Sequence, residues 1–122
     1  MKVTVTDIVT ELEDSNQVYV QLSREDTEKI FKDMDSIPKN EYNESDDSFT
    51  KGEMQFIFSK DGNLEEILVF PVYEDTDCDA MTNGDFINAP NYIYESKELI
   101  NFIKSILDFN QKLNNNEITF DF

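Results

Sequence analysis

The sequence predicts an α+β protein in which an antiparallel sheet of four to six strands carries two main helices packed on one face. Four short segments alternate apolar and polar residues with the period of a β-strand, and two longer segments repeat apolar residues at helical spacing. Their order, β(β)-α-β-β-α-β, is typical of a two-layer sandwich. A split βαβ arrangement is one topology that fits.

The length predicts a single domain spanning residues 1–122, because a chain of 122 residues buries one modest hydrophobic core. Ten Phe and five Tyr argue against disorder, since disordered chains are poor in aromatic residues. The sequence contains no internal repeat and no linker that would divide it.

Two strands are predicted near the N-terminus. Residues 2–6 and 17–22 both alternate apolar and polar side chains, and the turn-forming residues 14–16 precede the second segment. Residues 7–13 fit either a helical turn or a continuation of the first strand.

The first helix is predicted to begin at Ser23, whose hydroxyl can accept a hydrogen bond from the amide of Asp26. The acidic residues of its first turn lie at the positive end of the helix dipole. The helix is expected to end at Ile37-Pro38, because a residue before proline avoids helical backbone angles. Its apolar stripe consists of Ile30, Phe31 and Met34.

A β-hairpin is predicted in the middle of the chain. Residues 54–58 alternate as a strand, Asp61-Gly62 suits the positive φ angles of a tight turn, and residues 64–73 form the returning strand. Residues 67–70 are apolar on both faces, which favours a position inside the sheet.

The C-terminal part is predicted to hold a connector, a long helix and a last strand. Residues 74–95 show little periodicity, with a short strand expected at 92–94. Ser96 begins the longest helix, which the asparagines at 114–116 end, and residues 117–122 alternate as a final strand.

Composition excludes several functional classes. The chain has 27 acidic and 10 basic residues, a net charge of −17, and no histidine. Without histidine there is no His general base, no Ser-His or Cys-His pair and no His metal ligand. Phosphate backbones and anionic membranes attract Lys and Arg, so direct nucleic-acid or membrane binding is not expected. We expect a protein without enzymatic activity whose macromolecular partner is basic.

The single cysteine, Cys78, rules out an intrachain disulfide and is typical of a reducing compartment. The N-terminal residues lack the apolar run of a signal peptide, and no segment has the length and hydrophobicity of a membrane span. A cytoplasmic protein is therefore expected. Acidic neighbours raise a thiol pKa, which makes Cys78 a poor nucleophile.

The densest acidic segment, residues 74–85, is the principal candidate site. Fixed carboxylates there would meet Lys and Arg of a partner, while neighbouring aromatic rings would supply apolar anchors. The candidate partner-binding residues of this segment are Glu74, Asp75, Asp77, Asp79 and Asp85 together with Tyr73, Phe86, Tyr92 and Tyr94. A second acidic segment would extend the surface through Glu44, Asp46 and Asp47. A solvated acidic loop without a binding role is the alternative interpretation of both segments.

Calcium binding is a further alternative for the same segment. Asp75-x-Asp77-x-Asp79 matches the first three ligand positions of a calcium-binding helix-loop-helix motif. The glycine of the sixth position is replaced by Ala80 and the glutamate of the twelfth by Phe86, so no metal ligand or cofactor is assigned.

The chain resembles, in size, charge and composition, the small acidic immunity proteins that bacteria make against their own toxins. It also resembles phage proteins that block restriction or CRISPR nucleases by mimicking DNA. The resemblance covers no defined motif and carries over no residues. We expect a stoichiometric inhibitor of a basic protein, specifically an immunity protein against a nuclease-type toxin. A phage-type DNA mimic is the first alternative and an acidic calcium-responsive adaptor the second.

Overall fold

The computed structural model describes residues 1–10, 12–38, 49–74, 81–83, 86–109 and 118–122. These residues form seven strands and three helices. The elements are β1 Lys2–Val9, β2 Ser15–Leu22, α1 Arg24–Asp33, β3 Lys51–Ser59, β4 Leu64–Glu74, β5 Met81–Asn83, β6 Ile87–Asn88, α2 Asn91–Tyr94, α3 Lys97–Phe109 and β7 Ile118–Asp121.

The strands form one antiparallel sheet in the order β5-β4-β3-β2-β1-β7, with β6 also pairing with β4. Helix α1 packs across β3 and β4, and α3 packs against β2. The α+β prediction, with the two longer helices on one face of the sheet, is confirmed.

The core lies between these helices and the sheet. Cross-strand partners such as Val20 and Met54 face the helices and are fully buried, as is the α2 residue Ile93. From α3 the core receives the stripe Leu99, Ile103 and Ile106.

Strand β1 continues to Val9, so residues 7–9 extend the first strand and form no helical turn. The pairing with β2 shifts register between Val5 and Asp7, which marks a β-bulge. Val5 therefore pairs with Val20 and Ile8 with Val18, so two β1 residues three apart face the same side. The bulge explains why strict alternation fails in this segment.

The central hairpin is confirmed. Gly62 has φ of +89°, and the amide of Ser59 donates to the carbonyl of Asn63 at 2.8 Å across the turn. Strand β4 lies between β3 and the short strands β5 and β6, as its apolar character on both faces predicts.

Helix α1 begins as predicted and ends early. The amide of Asp26 donates to Ser23 Oγ at 3.1 Å. The helix ends at Asp33 rather than at Ile37-Pro38, because Asp35 adopts a left-handed φ of 55°. The amides of Asp35 and Ser36 bond back to the carbonyls of Lys32 and Phe31 at 3.0 and 2.8 Å, which is the Schellman helix end.

The prediction of a strand at residues 92–94 is wrong. Those residues belong to α2, a single helical turn that follows Pro90. The amide of Glu95 donates to the carbonyl of Asn91 at 2.9 Å, and Ile93 is fully buried. Residues 92–94 read Tyr-Ile-Tyr, and a segment of only three residues fits the period of a helix as well as that of a strand. Periodicity therefore could not distinguish the two.

The last two elements agree with the sequence analysis. The amide of Ile100 bonds to the carbonyl of Ser96 at 3.0 Å, where the helix was predicted to begin. Strand β7 pairs with β1, and Phe120 stacks on Phe102 of α3 with ring centroids 4.5 Å apart. The predicted helix end at 114–116 lies outside the described residues. Within the described part of the chain, no helix has the length and apolar character needed to cross a membrane.

Candidate partner-binding site

Most of the predicted acidic site lies outside the described residues. This applies to Asp75, Asp77, Asp79 and Asp85 of the first segment and to Glu44, Asp46 and Asp47 of the second. The backbone of Glu74 closes β4, where it pairs with Met81 of β5. The aromatic members of the predicted site are all described, and they divide into two pairs.

Tyr73 and Tyr94 have positions inside the fold. Tyr73 is only 4 % exposed and makes an edge-to-face contact with Phe49, with ring centroids 6.1 Å apart. The half-buried Tyr94 accepts a hydrogen bond from the amide of Ile67 at 2.8 Å through its hydroxyl oxygen. Neither side chain therefore offers an exposed apolar anchor to a partner, which their predicted partner-binding role would need.

Phe86 and Tyr92 lie at the surface. Phe86 is 62 % exposed and directly precedes β6, and Tyr92 is 42 % exposed on α2. Both exceed the exposure usual for large apolar side chains, so they are available to a partner without rearrangement of the core.

Tyr92 is held in place by α1. Its hydroxyl donates to Asp33 Oδ2 at 2.8 Å, and Lys29 Nζ donates to the same oxygen at 3.0 Å. The Lys29 ammonium also lies 5.3 Å from the centroid of the Tyr92 ring, within range of a cation–π interaction. The exposed ring therefore has a fixed orientation, which lowers the entropy that a partner would have to overcome.

The protonation states of Asp33 and Tyr92 suit the hydrogen bond between them. The hydrogen bonds from Lys29 and Tyr92 hold the pKa of Asp33 below its ordinary value. Partial burial and then the hydrogen bond to Asp33 raise the pKa of Tyr92 to about 12. At neutral pH the carboxylate is therefore ionised and the phenol protonated, so the donor and acceptor roles are fixed.

Further exposed apolar side chains follow at the C-terminal end of α1. Met34 directly follows Asp33, and Ile37 lies just beyond the left-handed residue Asp35. Met34 is 41 % and Ile37 62 % exposed. We call Asp33, Met34, Asp35, Ile37 and Tyr92 the α1–α2 surface.

Sequence reasoning missed the α1 part of this surface. Met34 was assigned to the apolar stripe of the helix and Ile37 to its end. A usable signal was present, because Asp33 and Asp35 place negative charge at the negative end of the helix dipole, where basic residues are the norm. The link between Asp33 and Tyr92 joins residues 59 positions apart, which no local pattern reveals.

Most acidic side chains of the described segments have no cationic neighbour within ion-pair distance. Among those residues, the carboxylates paired with a cation are Glu28 with Arg24, Asp33 with Lys29, and Asp121 with the N-terminal ammonium. The surface charge is therefore left for a partner or for counterions.

A separate polar cluster lies on the sheet face opposite the helices. Gln55 Nε2 donates to Gln17 Oε1 at 2.8 Å and to the Tyr19 hydroxyl at 3.0 Å, and that hydroxyl donates to Gln17 at 2.7 Å. Burial raises the pKa of the nearby Glu53 carboxyl. The amides and the phenol satisfy one another, so the cluster stabilises the sheet surface and supplies no activated nucleophile.

No group of three or more potential metal ligands occurs among the described residues. The partial calcium motif lies outside them.

The α1–α2 surface combines a fixed aromatic ring, exposed apolar side chains and carboxylates, a composition suited to protein recognition.

Comparison with protein-family models, with curated proteins and with solved structures finds no match to this chain. The fold and the site define it as a small acidic α+β protein with an exposed aromatic surface, and the functional argument depends on its own residues.

Proposed function

We propose that this chain is a stoichiometric protein inhibitor that binds a basic partner protein, specifically an immunity protein that neutralises a bacterial nuclease-type toxin. The observation that carries the proposal is the fixed, half-exposed ring of Tyr92 beside a carboxylate, in a chain with a net charge of −17. Aromatic anchors inside a charged surface are typical of protein-binding hot spots.

The charge favours a nucleic-acid-handling enzyme as the partner. Such enzymes present Lys and Arg to bind phosphate backbones, so an acidic protein competes for the same surface. The long-range field speeds the encounter, and the buried aromatic contacts slow dissociation.

The proposal is tested by capture from the native host at low and moderate salt, with the product of the neighbouring reading frame expressed alongside. We expect one basic protein, recovered at equal stoichiometry, whose nuclease activity falls to zero at a 1:1 ratio. Recovery of no basic protein, or of one whose activity is unaffected, would overturn the proposal.

Salt dependence separates an aromatic-anchored inhibitor from a DNA mimic. Between about 50 and 500 mM salt, screening weakens exposed charge pairs far more than buried apolar contacts. We expect the complex to retain most of its affinity, whereas near-complete loss would favour the DNA mimic.

The acidic segment is tested with matched variants. Replacing Asp75, Asp77 and Asp79 together by Asn should weaken capture by at least about tenfold if that segment contacts the partner. The control D61N/E65Q/E25Q removes the same charge from exposed positions of the hairpin and α1. Equal weakening by both variants would mean that the segment acts only through net charge.

A further inference from the structure

The α1–α2 surface contains a cation site that the chain fills with its own lysine. The Lys29 ammonium donates to Asp33 Oδ2 at 3.0 Å and lies 5.3 Å from the centre of the Tyr92 ring. A carboxylate and an aromatic face together form a recurrent binding site for a cationic side chain. The structure thus shows a cation seated at this position.

The resident cation is weakly held. The Lys29 side chain is 61 % exposed, and its ion pair with Asp33 is an i,i+4 pair on the helix surface. Pairs of this kind contribute little to stability, because water screens them and two long side chains must be ordered. A competing cation can therefore displace Lys29 at small cost.

An arginine would occupy this site better than a lysine. Its planar guanidinium can bond both oxygens of a carboxylate and stack on an aromatic ring at the same time, which an ammonium cannot do. Both hydrogen bonds that Asp33 receives end on Oδ2, at 2.8 and 3.0 Å. A guanidinium in place of Lys29 could engage Oδ2 together with Oδ1.

Two exposed apolar side chains follow Asp33 closely in the chain. Met34 and Ile37 are exposed at the same end of α1 and would be covered by the partner around the ion pair. Burial strengthens a bidentate ion pair because it excludes water. Apart from Lys29 and Asp33, the charged residues nearest this end are Lys32 and Asp35, which are opposite in sign.

We propose that an arginine of the basic partner replaces Lys29 against Asp33 and Tyr92, with Met34 and Ile37 covered by the surrounding partner surface. This inference rests on the proposed function, since it specifies how that partner is recognised. It makes Lys29 a competitor of the partner rather than a contact.

The decisive variant is Lys29→Ala, which frees the site. Lys32→Ala is the matched control. It removes the same charge from the same helix, and it makes the same change in helix propensity. We expect K29A to bind the partner at least about threefold more tightly than K32A. Asp33→Asn and Tyr92→Ala should each weaken binding about tenfold or more. Equal affinities of K29A and K32A would overturn the inference.

A measurement without the partner tests the same site. N-acetyl-L-arginine amide is titrated into the labelled protein while the Tyr92 ring resonances are followed by NMR, with N-acetyl-L-lysine amide as the comparison probe. We expect saturable shifts of the Tyr92 signals, at lower concentration for the arginine probe and lower still in K29A. Absence of shifts at Tyr92, or no preference for arginine, would contradict the inference.

The two proposals fail in distinguishable ways. If no basic protein is captured while the arginine probe binds at Tyr92, the proposed function falls and the cation site stands. If a basic partner is captured but binds D33N and Y92A like the unaltered protein, the inference falls and the proposed function stands.

Discussion

The two ends of α1 are built in opposite ways. At the N-terminus, Ser23 Oγ accepts from the Asp26 amide at 3.1 Å, and the Thr27 hydroxyl donates to the Ser23 carbonyl at 2.8 Å. Acidic residues there lie at the positive end of the dipole. At the C-terminus, Asp33 and Asp35 lie at the negative end, and Asp35 adopts the left-handed conformation that glycine favours.

The N-terminal end of α1 is more favourable for the stability of the folded protein than the C-terminal end. The Ser23 cap and the acidic residues of the first turn lower the free energy of the folded state. The C-terminal end places Asp33 and Asp35 beside the favourable Lys32 at the negative end of the dipole, and it holds Asp35 in the left-handed conformation. The C-terminal end is the part of α1 that carries the surface proposed above for partner recognition.

The largest effect is expected where the first half of α1 touches the sheet. Gly52 of β3 lies under Thr27, and a Cβ added there would fall 1.9 Å from Thr27 Oγ1. Gly52→Ala must therefore push α1 away from the sheet, at a cost of about 3 kcal/mol. Denaturant unfolding would measure the loss.

The substitution Gly62→Ala is the control for that prediction. A Cβ there meets nothing within 4 Å, but φ is +89°. Gly62→Ala should therefore cost only about 1 kcal/mol, from backbone strain alone. If Gly52→Ala is no worse than Gly62→Ala, the close packing of α1 on β3 is not as described.

Loss of the N-terminal cap should have the next largest effect. Ser23→Ala removes the acceptor for the Asp26 amide and should destabilise the protein by about 1 kcal/mol. Ser23→Asp keeps a capping oxygen and should be nearly neutral in the same unfolding experiment. Equal losses in both variants would show that the hydroxyl has a role other than capping.

The C-terminal end should respond in the opposite direction. Asp35→Gly relieves the left-handed strain and removes a charge from the negative end of the dipole, so we expect a gain of about 0.5 kcal/mol in the free energy of unfolding. Asp35→Asn keeps the side-chain shape and isolates the contribution of the charge. Destabilisation by Asp35→Gly would refute the view that this turn is not optimised for stability.

The smallest effect is a shift in the titration of Asp33. Its pKa is lower in the folded protein than in the unfolded chain, so its contribution to stability is present above about pH 4 and is lost as the pH falls through the folded value. Lys29→Ala should raise the Asp33 pKa most and Tyr92→Phe less, as measured by carboxyl NMR. An unchanged pKa in K29A would show that the Lys29–Asp33 contact does not persist in solution.

The predictions that the structure confirms at α1 and in the hairpin depend on well-known signals between neighbouring residues. The cap at Ser23 and the hairpin turn at Gly62 are local and were read from neighbouring residues. The early end of α1 was missed because an aspartate, not a glycine, takes the left-handed position at Asp35.

For the site, Phe86 and Tyr92 are exposed, whereas Tyr73 is buried and Tyr94 is half-buried. The partner-binding role of these aromatic residues stays a prediction. The side-chain directions of Tyr92 and Tyr94 depend on α2 being helical, and the sequence of residues 92–94 does not distinguish a helix from a strand. The contribution of α1 was missed because Asp33 meets Tyr92 only after both helices pack on the sheet.

The amino-acid sequence was enough to establish the fold class, the central hairpin, the N-terminal cap of α1 and the large negative charge, because these follow from composition and from contacts between near neighbours. The folded structure was needed to show which aromatic side chains face outward and which carboxylate holds Tyr92. Those properties arise from the packing of segments far apart in the chain, and packing direction is not encoded in any local pattern.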